Sequence, residues 1–209
     1  MDLLATGRDA DVFALGDDRV LRRYRDGGDV AVEAAVMTYL AGHGFPVPEV
    51  YEAAGPDLVM TRLSGPTMLA ALRDGEADPA ASGRTLADLH HRLRRVPARL
   101  SRDPAVRVLH LDLHPDNVIL SPDGPMVIDW RNTREGTPDL DAAMTAVILA
   151  QIAVESPLAR PVLAAFAASV DGMSGLDQAL TIRRADRNLT GAEVEKLSLA
   201  ESLLRGMVG

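Results

Sequence analysis

The sequence contains no cysteine, which excludes a disulfide framework and thiolate chemistry and fits a reducing compartment. Lysine is almost as scarce. Lys196 is the single lysine among 22 basic residues, so a reaction that needs a cation elsewhere must use arginine. Positive charge is in deficit overall: 30 acidic residues against 22 basic ones give a net charge of −8. That balance argues against a nucleic-acid partner held by bulk positive charge, and mildly favours cationic or metal-chelated ligands. Long apolar runs are missing too. The most apolar stretch, residues 142–154, has the length of a buried helix, so no membrane partner is expected. Met1-Asp2-Leu3-Leu4-Ala5 lacks the basic start and apolar core of a signal peptide, and a cytoplasmic location is the expectation.

What is present is ordinary for a globular chain: 209 residues, 47% hydrophobic and 25% charged, enough for one large domain or two small lobes. Residues 12–15 and 19–24, joined by Gly16-Asp17-Asp18, read as a hairpin. Asp29 is a suitable cap for a helix in which Val32, Ala35, Val36, Tyr39 and Leu40 repeat at helical spacing. Residues 49–53 and 58–63 read as two further strands. Ser64-Gly65-Pro66 is the best boundary, dividing the chain into lobes 1–63 and 64–209. Helices are expected over 67–73, 79–95, 139–153, 157–170, 176–187 and 190–207, the last opened by a Thr190/Glu193 capping box. Strands with one helix, then helices with a small strand insert, make an α+β chain rather than an alternating βαβ one.

The chemistry concentrates in Val108-Leu109-His110-Leu111-Asp112-Leu113-His114-Pro115-Asp116-Asn117-Val118 and, further on, Val127-Ile128-Asp129-Trp130. Apolar runs of this kind read as buried strands, and polar residues at their ends can converge on one point. His110, Asp112 and Asn117 follow H-x-D-L-x-x-x-N, the spacing of a protein-kinase catalytic loop, with Leu111 in place of its arginine. An aspartate held by such a loop can accept a hydroxyl proton, and an asparagine five residues on can bind Mg2+ through its amide oxygen. Asp129 falls where a kinase carries its second metal ligand.

The loop resembles the Brenner-type motif of the aminoglycoside phosphotransferase and choline kinase-like superfamily, usually H-G-D-L-H-x-x-N followed by I-D-[FW]; Leu111 stands where that motif has Gly. Gly7-Arg8-Asp9-Ala10-Asp11-Val12 is similar to the family's abbreviated nucleotide loop. Glu33 resembles the helix glutamate that holds the phosphate-binding cation, and Leu58 to Gly65 resembles the hinge. Asp141, in Thr137-Pro138-Asp139-Leu140-Asp141, resembles the acid that buttresses the catalytic loop. The resemblance covers roughly residues 5–150 and implies a two-lobed protein kinase-like fold in a short family member. It implies transfer of the γ-phosphoryl group of ATP, with Mg2+, to a hydroxyl of a small molecule. Asp112 would be the base, with Asn117 and Asp129 as metal ligands and Gly7 in the nucleotide loop. Met60, Thr61, Arg62 and Leu63 would cradle adenine. The family's strand lysine is absent; Arg22 takes its place, steadied by Glu33, while Arg23 points to the opposite face.

Two other readings remain open. Without the lysine, the chain could bind nucleotide as a pseudokinase with no turnover. Alternatively His110, Asp112 and His114, as alternate residues of one strand, could form the zinc site of a hydrolase.

Overall fold

The computed structural model describes residues 1–7, 9–186 and 189–208, and divides into two compact units. The first comprises Met1–Pro66 with Ile119–Thr133, the second Thr67–Val118 with Arg134–Gly209.

In the first unit, β1 (Leu3–Thr6), β2 (Ala10–Leu15), β3 (Arg19–Tyr24), β4 (Val50–Ala54) and β5 (Asp57–Thr61) form an antiparallel sheet in the order β1-β2-β3-β5-β4. Along β3 the two-residue period puts Val20, Arg22 and Tyr24 on one buried face while Arg23 is exposed. Arg23 lies opposite Asp57 on β5 and pairs with its carboxylate. Helix α1 (Ala31–Gly42) follows, and Asp29 Oδ1 accepts the amide of Ala31 at 2.9 Å. The helix is rotated from the expected face. Glu33, Ala34, Val36, Met37 and Leu40 are buried, whereas Val32 is 63% exposed. Leaving a valine in water while burying a glutamate is unfavourable by hydrophobicity alone, so an electrostatic partner must set the rotation.

The segment 119–133 joins this unit through its backbone. The amide of Leu120 donates to Pro66 O and that of Val127 to Pro46 O, each at 2.9 Å. Strands β7 (Val118–Ser121) and β8 (Gly124–Val127) form a two-stranded sheet. Trp130 beyond them is fully buried, edge-on to Phe45.

In the second unit α2 (Met68–Arg73) and α3 (Pro79–Leu93) start at Thr67 and Asp78, whose side chains cap Ala70 N and Ala81 N. Leu86, Leu89 and Leu93 of α3 are buried, as their spacing predicts. Strand β6 (Arg107–Leu109) runs into the motif loop and pairs antiparallel with β9 (Arg134–Gly136). That strand has no apolar pattern and escapes sequence reading; Glu135 anchors it by accepting the amides of Leu100 and Ser101. Helix α4 (Pro138–Ala153) is buried along nearly its whole length, as an all-round apolar helix must be. Around it lie α5 (Ala159–Ser169), α6 (Leu176–Arg184) and α7 (Gly191–Val208). The expected end of α6 at Arg187, and the Glu193 half of the capping box, lie outside the described residues. Among the described residues no helix is long and apolar enough to cross a membrane.

Gly65, in the expected boundary, is a close-packing site. It has φ +115°, and a Cβ there would lie 2.2 Å from Leu120 O. Gly65→Ala should therefore cost about 3 kcal/mol, from backbone strain and displacement of the 119–121 strand, read as a lower midpoint in chemical denaturation. An unchanged midpoint would mean that this packing is absent.

Candidate active site

Three buried side chains of the first unit, Arg22, Tyr24 and Glu33, form one network with the partly exposed Asp129. Arg22 Nη1 donates to Glu33 Oε1 at 2.7 Å, and Nη2 donates to Asp129 Oδ1 at 2.7 Å and to the Tyr24 hydroxyl at 2.5 Å. The Tyr24 hydroxyl in turn donates to Glu33 Oε2 at 2.6 Å. Glu33 Oε1 also accepts the amide of Trp130 at 3.1 Å, so α1 is tied both to β3 and to the segment carrying Asp129. Here lies the reason for the helix rotation: only with Glu33 turned inward does buried Arg22 obtain its counter-charge. Burial alone would lower the pKa of Arg22, but the charges of Asp129 and Glu33 outweigh it and raise the pKa, so the guanidinium stays charged. Desolvation first, and then the charge of Glu33, raise the pKa of Tyr24, which therefore remains a phenol.

Arg131 extends the network outward. It pairs with Asp26 and Asp9, with its guanidinium 4.3 Å from the centre of the Tyr24 ring. The β1–β2 turn closes by Gly7 N donating to Ala10 O at 2.9 Å, and Gly7 O accepts from Arg25. Arg8, within the expected nucleotide loop, lies outside the described residues. In the hinge segment Met60 is buried and Thr61 ends β5. The amide of Arg62 donates to Asp18 O at 2.8 Å, so an adenine edge would have to meet Leu63 and neighbouring carbonyls instead.

In the second unit the loop after β6 brings Asp112 and Asn117 together. Asn117 Nδ2 donates to Asp112 O at 2.8 Å, which leaves its Oδ1 as the atom to meet a cation. Asp112 N donates to Nδ1 of the fully buried His110 at 3.2 Å. His114 Nε2 lies 3.8 Å from Asp112 Oδ1 and 3.3 Å from Asn117 Nδ2.

The loop is braced from behind by buried polar groups. Asp141 Oδ1 accepts the amide of Leu111 at 2.6 Å. Thr145 Oγ1 donates to Leu113 O at 2.7 Å, so it can only accept from His90 Nε2 at 2.9 Å. That assignment makes Nε2 of His90 a donor and leaves Nδ1 facing Asp141 Oδ2 at 3.5 Å. Burial pushes the His90 pKa down to about 3, and burial raises that of Asp141.

The zinc-site expectation fails on this geometry. Strand β6 ends at Leu109, so His110, Asp112 and His114 are not alternate residues of one strand, and His110 Nδ1 is occupied by the backbone. Among the described residues no group of three His, Cys, Asp or Glu side chains is placed to hold a metal ion.

Residues 2–104 and 91–178 match the profile of a phosphotransferase enzyme family. The chain belongs to that family. Solved structures carry the same fold. A choline/ethanolamine kinase family protein from Mesorhizobium loti aligns over 97% of this chain and 87% of its own, with TM-score 0.63 and 14% identity. An aminoglycoside-3'-phosphotransferase of type VIII aligns over 96% and 90%, with TM-score 0.60 and 17% identity. A macrolide 2'-phosphotransferase from Brachybacterium faecium aligns over 95% and 91%, with TM-score 0.57 and 16% identity. Curated proteins yielded no match. The kinase-like α+β fold expected from the motifs is therefore borne out.

Sequence reading missed Tyr24, His90, Thr145 and Arg131. Tyr24 could have been found, since it stands two residues from Arg22 on the same strand face. His90 and Thr145 come together only through the packing of α3 on α4, and no local signal marks them.

Linkage gives the brace a measurable signature. Between pH 6.5 and about 3, the unfolded chain takes up a proton at His90 that the folded chain refuses, so stability falls as pH falls. Asp141, with its pKa raised by burial, acts in the opposite sense. His90→Gln cannot titrate, and its stability should fall less steeply than that of wild type between pH 6.5 and 4, by up to about 1.4 kcal/mol per pH unit. Parallel slopes in urea denaturation would contradict a neutral buried His90.

Proposed function

We propose that this phosphotransferase moves the γ-phosphoryl group of ATP to a hydroxyl of a small molecule. The observation that carries the proposal is the bonding of Arg22: at the strand position of the missing lysine, an arginine is charged, buried and paired with Glu33. A chain that had lost the reaction would have little reason to maintain that buried charge pair, which is costly to desolvate. Similar folds were solved with nucleotide analogues or nucleotides, including an amicoumacin kinase with AMP-PNP and an aminoglycoside 2'-phosphotransferase with GDP.

In this proposal Asp112 orients the acceptor hydroxyl and takes its proton as the oxygen attacks. Arg22 offsets charge on the phosphates, and residues 60–63 hold the adenine. Mg2+, held by Asn117 and Asp129, would neutralise phosphate oxygens when bound. Asn117 is pre-aimed by its bond to Asp112 O, and Asp129 reaches the phosphates once Arg22 shares or releases it. His114, beside both Asp112 and Asn117, limits the rotation of the Asp112 carboxylate. Phosphoryl transfer relies on such positioning and electrostatics rather than on covalent chemistry by the protein. The acceptor belongs to the class of small hydroxylated molecules that related folds act on, aminoglycosides and macrolides among them.

A second reading has one observation in its favour. Asp129 Oδ1 already accepts from Arg22, which occupies an oxygen that the metal would need. A pseudokinase that binds nucleotide without metal would keep that bond.

The test is to incubate the protein with labelled ATP, Mg2+ and a panel of hydroxylated metabolites and antibiotics, scoring phosphorylated product by mass. Wild type should phosphorylate at least one acceptor, and Asp112→Asn should lower kcat by about 10²–10⁴ while ATP still binds. Equal rates for the two proteins would remove Asp112 as base. ATP binding without any turnover on the panel, and indifferent to EDTA, would favour the pseudokinase.

A further inference from the structure

Arginine and lysine differ as phosphate ligands in a way that makes the surroundings of Arg22 informative. An ammonium is a point charge that a single carboxylate can hold in place. A guanidinium is a plane with five N–H bonds, and one carboxylate contact leaves it able to swing about that contact. The donors of Arg22 can be counted. Both protons of Nη2 are used, on Tyr24 and on Asp129, and one of Nη1 is used on Glu33. Among the described residues the Nε proton and the second Nη1 proton have no partner and remain for a ligand. Only the Tyr24 contact is independent of the metal-ligand candidate Asp129 and of the carboxylate that a lysine would use equally well.

Plain core packing would not produce this arrangement. Tyr24 is 4% exposed, so its ring fills space that phenylalanine would fill as well. Its hydroxyl, however, accepts from Arg22 and donates to Glu33 Oε2, closing a three-membered ring of hydrogen bonds. The guanidinium of Arg22 also lies 4.7 Å from the ring centroid. Without the hydroxyl, one Nη2 proton and one carboxylate oxygen in a buried site would lose their partner.

We propose that Tyr24 is a positioning residue for phosphate binding, fixing the plane of Arg22 so that an arginine can serve where related enzymes use lysine. Tyr24 does not touch the nucleotide; it acts through Arg22, and the inference rests on the phosphotransferase reading above. The two residues sit on one face of β3, two positions apart, so the pair forms a local unit in the sequence.

A double-mutant cycle tests it, using wild type, Tyr24→Phe, Arg22→Lys and the double variant, with Mg-ATP binding measured by calorimetry and melting temperature recorded for each. Tyr24→Phe should weaken ATP binding about five- to tenfold when Arg22 is present and less than about twofold in the Arg22→Lys background, because a lysine needs no phenol. A residue that only packs would shift both backgrounds alike, and that result, or no change with Arg22 present, overturns the inference while leaving the phosphotransferase reading intact. Failure of wild type itself to bind ATP would overturn that reading and this inference together.

Discussion

A guanidinium removed from water must be surrounded by acceptors, and the first unit is built around meeting that demand for Arg22. The side chain is 8% exposed and Glu33 is 4% exposed, so neither charge has water to fall back on. Removing one partner of such a pair costs about 3–5 kcal/mol, more than the exposed Val32 costs α1. The rotation of α1, the anchoring of Trp130 N to Glu33 and the hold on Asp129 all follow from that one requirement. A lone lysine would impose less. Arginine brings more donors, and Tyr24 and Asp129 supply the extra acceptors.

The second unit solves a different problem, the fixing of a strained loop. Leu111 has φ 63° and Asp129, in the first unit, has φ 66°, both in the left-handed region that side chains avoid at a cost of about 1–2 kcal/mol. Strain of this kind persists only where neighbours over-determine the backbone. Leu111 is held by the hydrogen bond its amide donates to Asp141, and the carbonyl of Leu113 by Thr145 and, behind it, His90. Asp129 is held by Arg22, and the residue after it by Glu33. Leu111 stands where the motif that the loop resembles has glycine, and here the bracing holds a left-handed backbone without one. Both strained residues adjoin or are candidate catalytic groups, the usual location of stored backbone strain.

Much of this was legible from residue spacing. The motif spacing singled out Asp112 and Asn117, which the loop after β6 brings together, and strand alternation separated Arg22 from Arg23 and placed it on the buried face. Other features were not legible, for definite reasons. The apolar repeat of α1 pointed to a face that includes Val32, because periodicity weighs hydrophobicity and gives no credit for a buried ion pair. Strand β9 carries Arg134, Glu135 and Gly136 and has no apolar signal; its pairing is held by carboxylate-to-amide bonds across more than 30 residues. Gly65 read as part of a lobe boundary, whereas its requirement is the close approach of Leu120, a contact that only the folded chain reveals.

In the proposed reaction Arg22 and Asp129, bonded to each other here, part to serve a metal-nucleotide complex. Calorimetric titration of ATP into wild type and Asp129→Asn, each with Mg2+ and with EDTA, tests it most directly. Asparagine tolerates the left-handed backbone at position 129 but lacks the charge a divalent cation needs. Wild type should bind ATP at least about tenfold more tightly with Mg2+ than with EDTA, and Asp129→Asn should lose most of that difference. Binding of ATP by wild type that is indifferent to Mg2+ would contradict the account.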